Sequence, residues 1–223
     1  MKNVSSSSSS SHHTYNTFPF VPRERMRVLV IDVETNGLPV SYVSRKKQTG
    51  FTNLRLLNER RFDECRAIEV AMMLAEFEDG VCTILHEWSA LVSQNVQITN
   101  SDIHGITEQN VLDTGVHMDA VLEELSKHLD FVDYVVAHNA DFDLQVMASE
   151  CKRHGWPSLL QRLDDKPVVC TMLRAFKQLK LMKWPKLVDL YKRLCFEEAT
   201  NAHRALADCR MCMACFEKLG VNN

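Results

Sequence analysis

The chain has 223 residues, 45% of them hydrophobic, which suits one domain with a sizeable core. A net charge of -3 excludes a global polyelectrolyte clamp, so any contact with nucleic acid must come from a local basic patch. The 8 Cys lack the spacing of a disulfide scaffold, no apolar run is long enough to span a membrane, and no signal peptide is visible. Those features point to a reducing, intracellular setting with mostly free thiols.

In chain order, residues 1–25 read as a disordered leader, because the serine run 5–11 followed by His12-His13 has nothing to bury. Residues 26–223 read as the folded domain. Val28-Leu29-Val30-Ile31 is an unbroken apolar run, the pattern of a central strand buried on both faces. Asp32 and Glu34 end that strand. Residues two apart on a strand share a face, so the two carboxylates converge on one small volume. Two such anions repel unless a cation lies between them, and hard oxygen donors favour Mg²⁺ or Mn²⁺ over zinc. A strand ending in solvated acids before a turn at Asn36-Gly37 is the plainer alternative.

Residues 38–63 form a long connection rich in Arg and Lys, including Arg45, Lys46 and Lys47. Such a basic insert could hold a phosphate backbone, but a solvated surface loop is the favoured reading. Residues 66–78 and 81–91 read as two antiparallel strands joined at Asp79-Gly80. Residues 101–107 read as a short helical turn, and 116–129 as a helix on the spacing of Val121, Leu122, Leu125 and Leu129. The run 132–138 reads as a strand. It enters Asn139-Ala140-Asp141-Phe142-Asp143 and a helix that Gly155-Trp156-Pro157 terminates. Residues 168–170 suggest a short strand, and 171–181, 186–195 and 202–219 suggest helices. This order predicts an α/β fold with a mixed central sheet.

Two further acidic positions stand out. Asp143 falls in the first turn of a helix that follows a strand, at the carboxyl edge where ligands bind, with Asp141 as a candidate N-cap. An acid that stabilises the helix dipole would explain Asp143 equally well. His203 and Asp208 are five apart and do not stack on one helix face, so a shared site requires His203 in the segment that enters the helix. Cys209, Cys212 and Cys215 follow at three-residue spacing. With Cys195 or His203 they could hold zinc, but that spacing also gives one buried helix face of small hydrophobes, the favoured reading.

Together these segments are more specific than any one alone. Asp-x-Glu at a strand end, His-Asn-x-x-Phe-Asp at a strand-to-helix turn and His-x-Ala-x-x-Asp in a final helix resemble the DEDDh 3′–5′ exonuclease family over about residues 26–219. The resemblance implies a ribonuclease-H-like mixed five-stranded sheet flanked by helices. It implies metal-dependent removal of nucleoside 5′-monophosphates from single-stranded DNA or RNA 3′ ends, in proofreading or nucleic-acid processing. Two Mg²⁺ or Mn²⁺ ions would be held by Asp32, Glu34, Asp143 and Asp208, with His203 as general base. Thr35, Asn36 and His104 would contact substrate. Phe142 could stack on a base, although a core phenylalanine is the favoured reading, and Leu38 is a weaker candidate wedge. The resemblance also admits a DNA polymerase as partner and a homodimer. The insert is longer than in compact members, and Cys170-Thr171 stands where many members have Asp-Thr. A non-catalytic nucleic-acid-binding or polymerase-accessory module on the same fold is the alternative, against which the intact set of five residues argues.

Overall fold

The computed structural model describes residues 25–40, 53–199 and 202–220. Strands β1 (Arg25–Thr35), β2 (Ala67–Glu78) and β3 (Val81–Ser93) form an antiparallel meander. The turn between β2 and β3 has φ of 51° at Asp79 and 81° at Gly80, the left-handed pair that a tight hairpin needs. β4 (Val116–His117) lies parallel to β3, while β5 (Tyr134–Ala137) and β6 (Val168–Cys170) continue the sheet beyond β1. The strand order is β4-β3-β2-β1-β5-β6. Eight helices occupy the connections among the described residues: α1 (Ser101–His104), α2 (Glu108–Thr114), α3 (Met118–Leu129), α4 (Ala140–Arg153), α5 (Pro157–Asp165), α6 (Thr171–Gln178), α7 (Leu187–Cys195) and α8 (Ala205–Lys218).

Alternation along β1 explains why the sheet is covered on both sides. Leu29, Ile31 and Val33 face a large core with Leu122 and Leu125 of α3 and Val146 and Met147 of α4. Val28 and Val30 face the opposite side, where Ala71, Met73, Cys209, Cys212 and Phe216 close over them. Phe216 meets Phe77 edge to face, with ring centroids 5.8 Å apart. The two cores hold α4 and α8 on opposite faces of the central strand.

The sheet has six strands rather than five. β4 is two residues long, too short for a periodic signal, and it takes the first two residues of the helix expected at 116–129. That helix starts at Met118. Pro157–Asp165 forms a further helix, α5: the proline that marks the end of the preceding helix in the sequence also suits the first position of a new one. The described part of the insert is packed rather than solvated. Leu54, Leu57 and Phe62 are buried in the main core, and Arg55 pairs with Asp164 at 2.6 Å. Gly37 closes this region: a Cβ there would lie 2.4 Å from the backbone oxygen of Glu64. The serine-rich leader and Arg45, Lys46 and Lys47 lie outside the described residues.

Candidate active site

β5 pairs with β1 only at Val28, Leu29 and Val30, so β1 overhangs its parallel neighbour from Ile31 onward. The chain leaves β5 and enters α4 at that level, bringing the first turn of α4 against the overhang. There the Val33 N–H donates to Asp143 Oδ1 at 3.1 Å. Asp143 thus supplies to β1 an acceptor that no strand provides. Asp141 is not the N-cap: Asn139 occupies that position with φ of 62°, and Asp141, inside the first turn, accepts from the Gln145 side chain. Asp32 and Glu34 alternate with Val33 and therefore face the side of the sheet that α8 covers.

The third part of the site comes from the entrance to α8. Glu69 of β2 stands directly across from Glu34. Its carboxylate accepts from Arg204 Nε at 3.1 Å, from Arg204 Nη2 at 2.8 Å and from the Ala205 N–H at 3.0 Å. Glu69 therefore performs, from another element, the capping that Arg204 at the N-cap position cannot give its own helix. His203 precedes this anchor with φ of 65°, and its N–H donates to Asp208 Oδ1 at 3.3 Å. As the spacing required, His203 lies in the segment entering the helix, although Asp208 sits in the first turn rather than a turn and a half inside. Glu34, His203 and Asp208 each bring a ligand atom within 4.8 Å of the others.

The carboxylates strain one another electrostatically. Burial, then Asp143, Asp208, Glu34 and Glu69, hold the Asp32 carboxyl well above the ordinary range. Burial also raises Asp143 well above it, with the Val33 amide opposing and Glu34 and Asp208 adding to the rise. Glu34 is pushed up to about 7 by burial and then by Asp208 and Glu69, against the pull of Arg204. Asp208 is pushed up to about 6, chiefly by burial, with His203 opposing. Four crowded hard oxygen donors whose charges are each disfavoured fit a divalent cation of the Mg²⁺ or Mn²⁺ class.

Of the other expected substrate contacts, Asn36 and His104 have their polar groups engaged within the protein. Asn36 is buried. Its N–H donates to the Arg66 carbonyl at 3.1 Å, its Oδ1 accepts from the Arg66 N–H at 2.8 Å, and its Nδ2 donates to the Gln97 carbonyl at 3.1 Å. Thr99 takes its carbonyl. Asn36 thus ties the end of β1 to the start of β2 and to the 94–100 loop. His104 is also buried: Nδ1 accepts from the Ile106 N–H and Nε2 meets the Thr99 carbonyl, each at 3.0 Å. Both ring nitrogens thus shape their own loop, leaving no nitrogen for a ligand. Thr35 Oγ1 donates to the Gly37 carbonyl at 2.8 Å. Phe142 packs partly buried against the main core, and Leu38 is exposed. Cys209 and Cys212 lie in the core beneath α8 and Cys215 in the core beside α7, with thiols raised by burial, Cys215 to about 12. Cys170 is buried with its thiol likewise raised, so it supplies no carboxylate next to Thr171.

Glu69 and Arg204 are the residues that pattern reading missed. The available signal was Glu69 itself, a charge inside the otherwise apolar run Ala67-Ile68-Glu69-Val70-Ala71-Met72-Met73.

A mixed sheet with three carboxylate-bearing strand and helix ends converging at its carboxyl edge defines an α/β protein with an acidic centre of the kind that suits a cation. The RNase T family of exonucleases matches residues 29–216, and the chain belongs to that family. An uncharacterized exonuclease, CP81 of Escherichia phage 186, is 31% identical over 124 residues, covering 52% of this chain and 63% of that protein. The chain thus spans less than two thirds of this relative's length. Exonuclease X, solved with 5′-overhanging duplex DNA, has a TM-score of 0.53 and 24% identity, over 86% of this chain and 90% of that one. E. coli Exonuclease I, solved with a dT13 oligonucleotide, has a TM-score of 0.60 and 17% identity, over 86% of this chain and 40% of that one. A 3′-exonuclease that recognises the 3′ end of a histone mRNA stem-loop has a TM-score of 0.58 and 13% identity, over 88% of this chain and 65% of that one. These likenesses establish the ribonuclease-H-like fold.

Proposed function

We propose that this chain is a metal-dependent 3′–5′ exonuclease that removes nucleoside 5′-monophosphates from single-stranded nucleic acid. The observation that carries the proposal is the meeting of Asp32, Glu34, Asp143 and Asp208, from three separate elements, beside the exposed His203. Asp32, Glu34, Asp143 and Asp208 would hold two Mg²⁺ or Mn²⁺ ions. Such ions lower the pKa of a bound water and offset charge on the attacking and leaving oxygens. His203 is the general base: solvent-exposed and beside Glu34 and Asp208, its imidazole takes the proton from the attacking water. The water oxygen bonds to the terminal phosphorus, the bond to the 3′ oxygen of the preceding nucleotide breaks, and that oxygen takes up a proton. The products are a 5′-monophosphate and a strand shorter by one nucleotide. Asp208, hydrogen-bonded to the His203 N–H, keeps that segment against the carboxylates. Thr35, at the end of β1, would lie against the terminal nucleotide.

The test uses purified protein and 5′-labelled single-stranded DNA and RNA of matched sequence, with Mg²⁺, Mn²⁺ or EDTA. Stepwise shortening that needs the metal and is suppressed by His203→Ala supports the proposal, and the DNA-to-RNA ratio assigns the substrate. Retarded but uncut strands under every condition would transfer the assignment to a nucleic-acid-binding module.

A further inference from the structure

On the other face of the sheet, α3 passes over β3. His86 of β3 stands across from Leu74, whose side chain belongs to the core that α3 covers. β3 is the outer strand over most of its length, because β4 reaches only Val92 and Ser93. Glu124 and His128 are four apart on α3 and so share one face of that helix. The His86 and His128 Nε2 atoms each lie 3.0 Å from the same oxygen, Glu124 Oε1. The two rings are 5.0 Å apart between centroids. All three ligand atoms fall within 4.8 Å of one another, and all three residues are half-buried. Lys127 bonds the other oxygen, Oε2, at 3.0 Å and leaves Oε1 to the imidazoles.

We propose that His86, Glu124 and His128 form a second cation site, selective for zinc-class divalent ions, that staples α3 to the outer strand of the sheet. Zinc bonds nitrogen and carboxylate oxygen at about 2.0–2.2 Å, which sets tetrahedral donors about 3.3 Å apart, a few tenths of an ångström from the two nitrogen–oxygen separations seen here. Glu124 binds through Oε1 alone while Lys127 keeps Oε2. His86, with 41% of its side chain exposed, leaves the fourth position open to water. Two imidazoles select zinc over Mg²⁺, whereas the carboxylates on the opposite face select the reverse, so the chain carries two centres of different softness. The neighbouring group of His117, Asp119 and His154 is less suited. Its Asp119 Oδ1 already accepts from Trp156 Nε1 at 2.9 Å, and His117 and Asp119 are both exposed.

The experiment titrates chelator-stripped full chain carrying Asp143→Asn, which silences the acidic centre, with Zn²⁺ against a chromophoric chelator. Co²⁺ absorption reports the ligand geometry, and melting temperature is followed in parallel. One equivalent of zinc that raises the melting temperature is expected. The affinity should fall at least about tenfold in His86→Ala/His128→Ala and in Glu124→Gln. Glu124→Gln keeps an acceptor for both rings, so it loses zinc without loss of fold, and nuclease activity in Mg²⁺ of the same substitutions made with Asp143 intact checks that the fold is preserved. Zinc affinity and thermal shift unchanged by these substitutions, or abolished instead by His117→Ala/His154→Ala, would overturn the proposal.

Discussion

Two carboxylates on α4, seven residues apart, are both buried and are treated in opposite ways. Glu150, fully buried, accepts from Arg66 Nε at 2.7 Å and Nη2 at 2.8 Å, from the Ala67 N–H at 3.3 Å and from Gln94 at 3.2 Å. Its charge is matched by a guanidinium, and the result locks α4 to β2. Asp143 receives the Val33 amide, and its other charged neighbours are acids that raise its carboxyl. The same contrast separates Glu69, bound by Arg204, from Glu34 opposite it, which is raised to about 7. A buried acid with a fitted arginine belongs to the framework. One placed among other acids costs stability, and that cost is maintained only where the site needs a cation.

The largest expected effects come from substitutions that separate these classes. Asp143→Asn should reduce mononucleotide release by about 10³-fold or more, the scale of lost charge stabilisation in the transition state. In metal-free buffer it should leave the melting temperature unchanged or higher, because Asn still accepts from Val33 while a repelling charge is gone. His203→Ala should cost about 10²–10⁴-fold in rate, with little change in stability since the side chain is exposed. Glu150→Gln should do the reverse. Breaking one partner of a buried pair costs about 3–5 kcal/mol, a fall of very roughly 6–20 °C at this chain length, while the protein still folded turns over normally. Calorimetry with single-turnover assays on the three variants checks the set. Equal thermal losses in Asp143→Asn and Glu150→Gln would erase the distinction.

Which features the sequence exposed follows from the same physics. Asp32 and Glu34 were legible because strand alternation forces them onto one side. Asp143 was legible because a strand entering a helix delivers its first turn to the sheet edge. His203 was legible because five-residue spacing admits a shared site only from the entering segment. Glu69 was hidden: its partners Arg204 and Ala205 are 135 and 136 residues away, and no local period reports a cap supplied by another element. The family resemblance marks Asn36 and His104 as ligand contacts, and a motif carries no mark of prior engagement: Asn36 is held by Arg66 and Gln97 from other segments, and His104 by Thr99 and Ile106 of its own loop. In the insert, the pattern of Leu54, Leu57 and Phe62 was broken up by Arg55, Arg60 and Arg61, although the three apolar residues bury while Arg55 pairs with Asp164 at the surface.

Glu69→Gln sharpens the comparison at a smaller scale. Gln accepts from Arg204 and the Ala205 N–H but lacks the charge, so stability should fall by about 1.5–3 kcal/mol, the worth of a hydrogen bond to a charged partner. The entrance to α8 should loosen, lowering kcat about tenfold while strand binding stays unchanged. A KM effect without a kcat effect would remove Glu69 from the positioning of His203 and Asp208.

The smallest and most diagnostic effect is the pH dependence of the response to metal. Asp32, Glu34, Asp143 and Asp208 all have folded-state carboxyls raised above their unfolded range. The folded chain therefore binds protons more tightly than the unfolded chain, and metal-free stability is greatest at acid pH as far as these groups are concerned. That contribution declines as pH rises from the ordinary carboxylate range near 4 through about 6 for Asp208 and about 7 for Glu34. A divalent ion bound to the ionised acids offsets the same repulsion, so its stabilisation must grow over that interval. Mg²⁺ is the right probe because imidazole clusters take it poorly. Adding it should raise the melting temperature little at pH 5 and by several degrees, on the order of 2–4 °C per kcal/mol, at pH 8. Asp143→Asn should flatten the difference, whereas Glu150→Gln should lower both curves in parallel, because Glu150 is paired with Arg66 in the framework and is not one of the four acids around the ion. A Mg²⁺ response equal at pH 5 and pH 8 would mean that the ion is not relieving the charge of these four acids.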